Sequence, residues 1–213
     1  MPKHLALAAL LLALAPTAAL ANDCDARPFR VKVNVVSPRE TIDRSQDSRT
    51  LSTMLSDSSM PGYVTQGLTR VDYSASYTSE YLSQQRRDGS WCSSVSNVTV
   101  DFGFLTPPKI YIASALPEGS CIYNEVMKHE YQHLRIAKDT LEAGRKWITK
   151  ALKEELSRGG AVGPTSEAAN AQIERRIKGM VDKITGGLYA AARVKNLALD
   201  TPENYARLGK LCR

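Results

Sequence analysis

Residues 129–133 read His-Glu-Tyr-Gln-His. Side chains four apart on a helix project from one face, one turn above the other. The imidazoles of His129 and His133 can therefore converge on a single metal ion, with Glu130 beside it. Zinc at such a place lowers the pKa of a water, and the Glu130 carboxylate is placed to accept its proton and generate a nucleophile at neutral pH. The chain has three histidines, and the third, His4, falls in a segment expected to be removed on export. Every histidine of the mature chain then belongs to this motif.

The motif needs a helix to present it, and its surroundings supply one. Residues 125–138 contain neither glycine nor proline. Pro117, Glu118, Gly119 and Ser120 form a turn and cap, and Ile122, Val126, Ala137, Leu141, Gly144, Ile148, Leu152 and Leu156 recur at threes and fours up to about Ser157. Gly159-Gly160 and Gly163-Pro164 stop this helix. Thr165 or Ser166 caps a second, whose apolar face is Ile173, Ile177, Met180, Val181, Ile184 and Leu188. The short connection predicts antiparallel neighbours. A tail from Asn196 carries Asp200, Glu203 and Tyr205.

The preceding stretch, Arg27 to Ser120, reads as β-rich. Phe29, Val31, Val33 and Val35 alternate with polar residues, and Leu68 to Tyr81 alternates again. Asp88-Gly89 signals a hairpin with a return strand over Trp91 to Phe104. Residues 39–62 are polar and read as a helix with long loops. Pro107-Pro108 breaks the chain before a short strand over Lys109 to Ala113.

Residues 1–21 read as a secretory leader: Lys3 and His4, then an apolar run from Leu5 to Leu14, then Ala19-Leu20-Ala21 as a cleavage site. Export to the periplasm or exterior suits four cysteines, Cys24, Cys92, Cys121 and Cys212, held as two disulfides. Of the three possible pairings, Cys92–Cys121 with Cys24–Cys212 is favoured, because it ties the β-rich half to the motif helix and joins the chain ends. A mature length of about 190 residues suits one domain over 22–213, β-rich over 22–118 and helical over 119–213. The net charge of +6 gathers into no basic stripe, and there is no aromatic-basic motif, which argues against nucleic acid as a partner. No segment outside the leader is apolar enough for stable membrane insertion.

From Cys121 to about Lys138 the chain resembles the HExxH zinc metallopeptidases, the zincins, and among them the minimal gluzincin-like proteases that small secreted bacterial proteins exemplify. The resemblance implies an α+β zincin-like domain: a β-rich half whose last strand, just before the HExxH helix, lies at the sheet edge so that Ile110 to Ser114 holds an extended peptide, then the HExxH helix and a backing helix. It implies Zn2+ as cofactor, a peptide or protein as substrate, Glu130 as general base and a third, acidic ligand. Asp139, six residues past His133, is excluded if the helix continues, because it then rises about 9 Å and is rotated away. Glu125 lies about 12 Å along the axis from His133. An acid beyond the second helix remains. Asp200 is the expected ligand, with Glu203 the alternative and Asp182 also near the right level. The antiparallel count places Tyr189 to Arg193 opposite the histidines, so Tyr189, Arg193 and Tyr205 are candidate donors to an oxyanion. The alternative to a peptidase is a non-catalytic envelope protein that keeps the fold, or a helical module, for binding.

Overall fold

A computed structural model describes residues 24–55 and 64–212. The expected leader, residues 1–21, lies outside them. In chain order the elements begin with β1 (Arg30–Val36), β2 (Thr41–Asp43), α1 (Ser48–Met54) and β3 (Gly67–Arg70). A hairpin of β4 (Tyr73–Gln85) and β5 (Trp91–Phe104) precedes β6 (Lys109–Ile112). The long helix α2 (Cys121–Leu156), the short strand β7 (Ala161–Gly163), α3 (Ser166–Leu199) and α4 (Pro202–Leu211) complete the chain. The architecture is α+β, with α3 packed along α2. Among the described residues no helix is long and apolar enough to cross a membrane.

The first sheet is built on β5. Its neighbours are β4 along one side and, on the other, β1 in parallel and β7 at the end of β5 near Trp91. The hairpin forms at Asp88-Gly89 as the sequence reads, with Gly89 at φ +86°, where a side chain would be strained. Val98, Val100, Phe102 and Phe104 of β5 pack against Leu141, Ile148 and Leu152 of α2 and Ile173, Ile177 and Val181 of α3. Full burial of each large apolar side chain contributes about 1.5–3 kcal/mol. Gly144 permits the close approach of helix to sheet, because a Cβ there would sit 2.2 Å from Phe102. The helices start at side-chain caps: Ser120 accepts from Tyr123 N–H and Thr165 from Ala168 N–H, each contributing about 1 kcal/mol.

The second sheet, in the order β2-β6-β3, carries the part of the β-half that faces the motif. Two expectations change here. The alternating run from Leu68 to Tyr81 is not one strand: it divides at Val71-Asp72, so that Gly67–Arg70 joins the second sheet and Tyr73 onward joins the first. The strand just before α2 is not an edge either. β6 is the central strand, with β2 parallel on one side and β3 antiparallel on the other. Beside the motif lies β3, at the edge of this sheet among the described residues. Of the polar stretch 39–62, the described residues 39–55 form the short strand β2 as well as the helix α1. Leu51 of α1 is fully buried beside Tyr111 and Ala113.

The disulfides are Cys24–Cys92 and Cys121–Cys212, not the favoured pairing. β1 runs parallel to β5 with Arg30 opposite Asn97, so the chain before β1 arrives at the Cys92 end of β5. At the other terminus α4 folds back along the first turns of α2, which delivers Cys212 to Cys121. Both bridges fit an oxidising compartment.

Candidate metal centre

The helical motif meets the end of α3. His129 Nε2 lies 3.1 Å from Asp200 Oδ1, His133 Nε2 lies 3.1 Å from the same oxygen, and the two Nε2 atoms are 3.2 Å apart. Among the described residues this trio is the group able to hold a metal ion. Zinc–ligand distances of about 2.0–2.1 Å in a tetrahedron imply donor–donor edges of roughly 3.3–3.4 Å. The observed triangle fits that spacing, and two imidazoles with a carboxylate form a suitable donor set.

Local sequence explains why Asp200 arrives here. It is the residue at which α3 ends, with φ −86° and ψ 60°, and Pro202 opens α4 at its first turn. A residue before proline avoids the helical region, and Thr201 is extended at φ −107° and ψ 151°. The chain must therefore break between the helices, and the break points Asp200 at the two histidines. Glu203, the alternative ligand, is exposed on the first turn of α4 and is not in the group. Asp139 is exposed on α2, and Glu125 pairs with Lys128, so neither joins the site. Asp182 pairs with Lys178.

Residues that sequence reasoning missed complete the centre. His133 Nδ1 lies 3.0 Å from Asn196 Oδ1. With Nδ1–H donating to that carbonyl oxygen, the lone pair of Nε2 is left for a metal. Asn196 stands about one helical turn beyond the Tyr189 to Arg193 stretch expected opposite the histidines. Its spacing of four residues from Asp200, on one face of α3, is the signal that could have identified it. Thr69 of β3 is the other missed residue. Its hydroxyl lies 2.8 Å from Glu130 Oε2 and 3.0 Å from the Glu130 backbone oxygen. Gly67, two residues earlier on the same face of β3, lets this strand approach: a Cβ there would fall 2.5 Å from Glu130 Oε1 and 2.6 Å from Val126.

His129 and Glu130 are 5% and 3% exposed. Burial pushes the Glu130 carboxyl upward, against the opposing pull of His133, His129 and the Thr69 hydrogen bond. At His133 burial acts against the imidazolium, but the hydrogen bond to Asp200 and the charges of Glu130 and Asp200 outweigh it and lift the group to about 9. Burial of Asp200 acts upward too, yet the hydrogen bonds from both histidines hold its carboxyl well below the usual range. A divalent cation competes with the protons at these atoms.

The three candidate oxyanion donors all line the space beside Glu130, but they differ in engagement. Tyr205 donates to Asp200 Oδ1 at 2.8 Å and packs against the His129 ring at 5.5 Å between centroids. Tyr189 stacks on Tyr73 at 4.5 Å. Arg193 is exposed on α3. The cleft has two lobes that meet at Gly67, Glu130, Asp200 and Tyr205. One, of about 310 Å³, runs toward α3 and Arg193; the other, of about 270 Å³, runs between α4 and the start of α2.

No family model, characterised protein or solved structure matches this chain.

Proposed function

We propose that the chain is an exported zinc-dependent peptidase. The observation that carries this reading is the convergence of His129, His133 and Asp200 within 3.2 Å of one another, with the buried Glu130 carboxylate adjoining it. Zinc suits two imidazoles and a carboxylate, and when bound it supplies a Lewis acid that polarises a carbonyl and acidifies a water. Glu130 is the proton carrier. Its carboxylate accepts a proton from the attacking water and passes it to the amine nitrogen as the peptide bond breaks. Thr69 holds that carboxylate in place, and Asn196 fixes the His133 ring. Tyr205, nearest the ligands of the three candidate donors, is the one able to stabilise the developing oxyanion, by turning its single hydroxyl proton from Asp200 Oδ1 to that oxygen.

β3 supports a peptide as the substrate. Gln66 O accepts from Ala113 N–H at 2.8 Å, so alternation along the antiparallel ladder turns the backbone groups of Gly67 and Thr69 toward the edge that no described strand occupies. An extended chain can add to that edge alongside Glu130. The disulfides fit the exported location that this reading requires.

Metal analysis of the purified mature protein tests the reading, together with peptide hydrolysis by wild type, His133→Ala and Glu130→Gln. About one zinc per chain is expected in wild type and Glu130→Gln, with its loss in His133→Ala. Hydrolysis is expected from wild type alone. Zinc-free wild type after zinc is supplied, or a Glu130→Gln variant that still cleaves, would overturn it.

A further inference from the structure

A strand at the edge of a sheet leaves a row of backbone N–H and C=O groups unpaired, and folded chains blunt such edges with charges, proline, bulges or short length. The first sheet has two edges of unlike character. β1 is seven residues long and carries Arg30 and Lys32. β4 is thirteen residues long, has no proline and carries one charged residue, Glu80. Among the described residues no strand pairs with its outer side.

Hydrogen bonds just beyond its two ends fix which groups face outward. Asp72 O accepts from Leu105 N–H at 2.7 Å, and Arg86 N–H donates to Ser90 O at 2.7 Å. Both residues therefore turn their backbone groups toward the β5 side. The one irregularity in the ladder, at Glu80/Tyr81, has its extra residue, Ser96, on β5, so alternation along β4 is unbroken. The odd-numbered residues from Tyr73 to Gln85 then present their N–H and C=O groups to the free edge.

We infer that a second copy of this chain occupies that edge, with β4 pairing antiparallel to β4 about Ser79. Ser79 is the midpoint of the strand and one of the outward residues, so this register pairs the strand along its whole length. It also sorts the charges. Asp72 falls opposite Arg86 of the second copy at both ends, and Glu80 falls opposite Thr78. Opposite charges that face each other across an antiparallel pair stabilise it, and like charges oppose it. A register centred one residue later would set Glu80 against itself. On the face toward α3, where the Tyr77 and Tyr81 hydroxyls reach Glu174, Tyr77 meets Tyr81 of the second copy as an aromatic cross-strand pair. A contact of this isologous kind closes as a two-fold dimer. The same register carries the Asp88-Gly89 hairpin of the second copy past Tyr73, which lines the lobe toward α3. Each copy thereby sets its hairpin at the rim of the other's cleft.

Analytical ultracentrifugation of the purified full-length mature protein over about 1–100 µM tests this. A reversible dimer is expected in that range. Ala75→Pro removes one outward N–H from each copy, a change that an edge strand tolerates, and should weaken the dimer by about tenfold or more. Asp72→Arg and Arg86→Asp each place like charges opposite one another and should weaken it by about three- to tenfold. The two together exchange the charges and should restore wild-type association, a recovery that damage to the fold would not give. Thr78→Lys, facing Glu80, should tighten the dimer. Zinc content should stay unchanged throughout, whether or not the chain cleaves peptides. A chain that stays monomeric, an assembly larger than a dimer, or a dimer indifferent to Ala75→Pro would overturn the inference. So would a charge exchange that fails to recover what the single reversals lose.

Discussion

Thr69 Oγ1 sits within hydrogen-bond distance of two oxygens of one residue, 2.8 Å from Glu130 Oε2 and 3.0 Å from the Glu130 backbone oxygen. A strand residue thereby touches both the main chain of the motif helix and the carboxylate that the chemistry needs. The hydroxyl has one proton and can donate to only one of them at a time. Either way it locates Glu130 relative to the edge along which a substrate would lie.

Removing that hydroxyl should therefore act on turnover and not on metal. A hydrogen bond to a charged group contributes about 1.5–3 kcal/mol, so Thr69→Val is expected to lower kcat by roughly ten- to hundredfold. KM and zinc content should hardly change, and Thr69→Ser should recover most of the loss. Kinetics with metal analysis on the same preparations check this. A Thr69→Ser variant as impaired as Thr69→Val would mean that the methyl packing matters and the hydroxyl does not.

Asn196 acts on the metal through His133. Its carbonyl oxygen, 3.0 Å from Nδ1, favours the tautomer that leaves Nε2 unprotonated. Losing such a partner typically costs 10–100-fold in metal affinity. Asn196→Leu should show a loss of that order in a competition titration against a chelator, while Asn196→Asp, which keeps an acceptor at the same place, should retain affinity. Equal weakening in both variants would show that the ring needs no acceptor there.

How far the sequence disclosed this centre follows from how local each relationship is. His129 and His133 are one turn apart on a helix whose apolar period is plain, so their juxtaposition needs no tertiary information. Asp200 was reachable because Pro202 forces a break where an antiparallel return reaches the active end. Thr69 was not reachable: its partner lies 61 positions away, and nothing in Gly-Leu-Thr-Arg marks the strand as the neighbour of Glu130. The division of Leu68 to Tyr81 between two sheets was hidden for a similar reason. Alternation reports which face a residue takes and is silent on which sheet the strand joins. β6 was misplaced at an edge because strand order depends on β2, three residues from a polar stretch with no strand signal of its own. The cysteine pairing turned on β1 lying parallel to β5, a choice that Val31, Val33 and Val35 do not encode by themselves.

The two disulfides close loops of similar size, 68 and 91 residues apart, yet they should differ in what they protect. In the chain-entropy account loops of this size are each worth about 4.5 kcal/mol. Cys24–Cys92 fastens the start of the chain to β5, away from the metal centre. Cys121–Cys212 fastens the end of α4 to the first turn of α2, and Leu208 is the one buried residue of α4. Without the bridge, little else holds α4 against α2. Tyr205, which donates to Asp200 and packs on His129, would lose its anchor. The Cys24→Ser/Cys92→Ser and Cys121→Ser/Cys212→Ser double variants are both expected to melt at lower temperature. Compared below their melting temperatures, only the second should bind zinc more weakly in a chelator competition. Equal zinc affinity in the two would show that α4 stays in place without its bridge, and that Asp200 is held by the end of α3 alone.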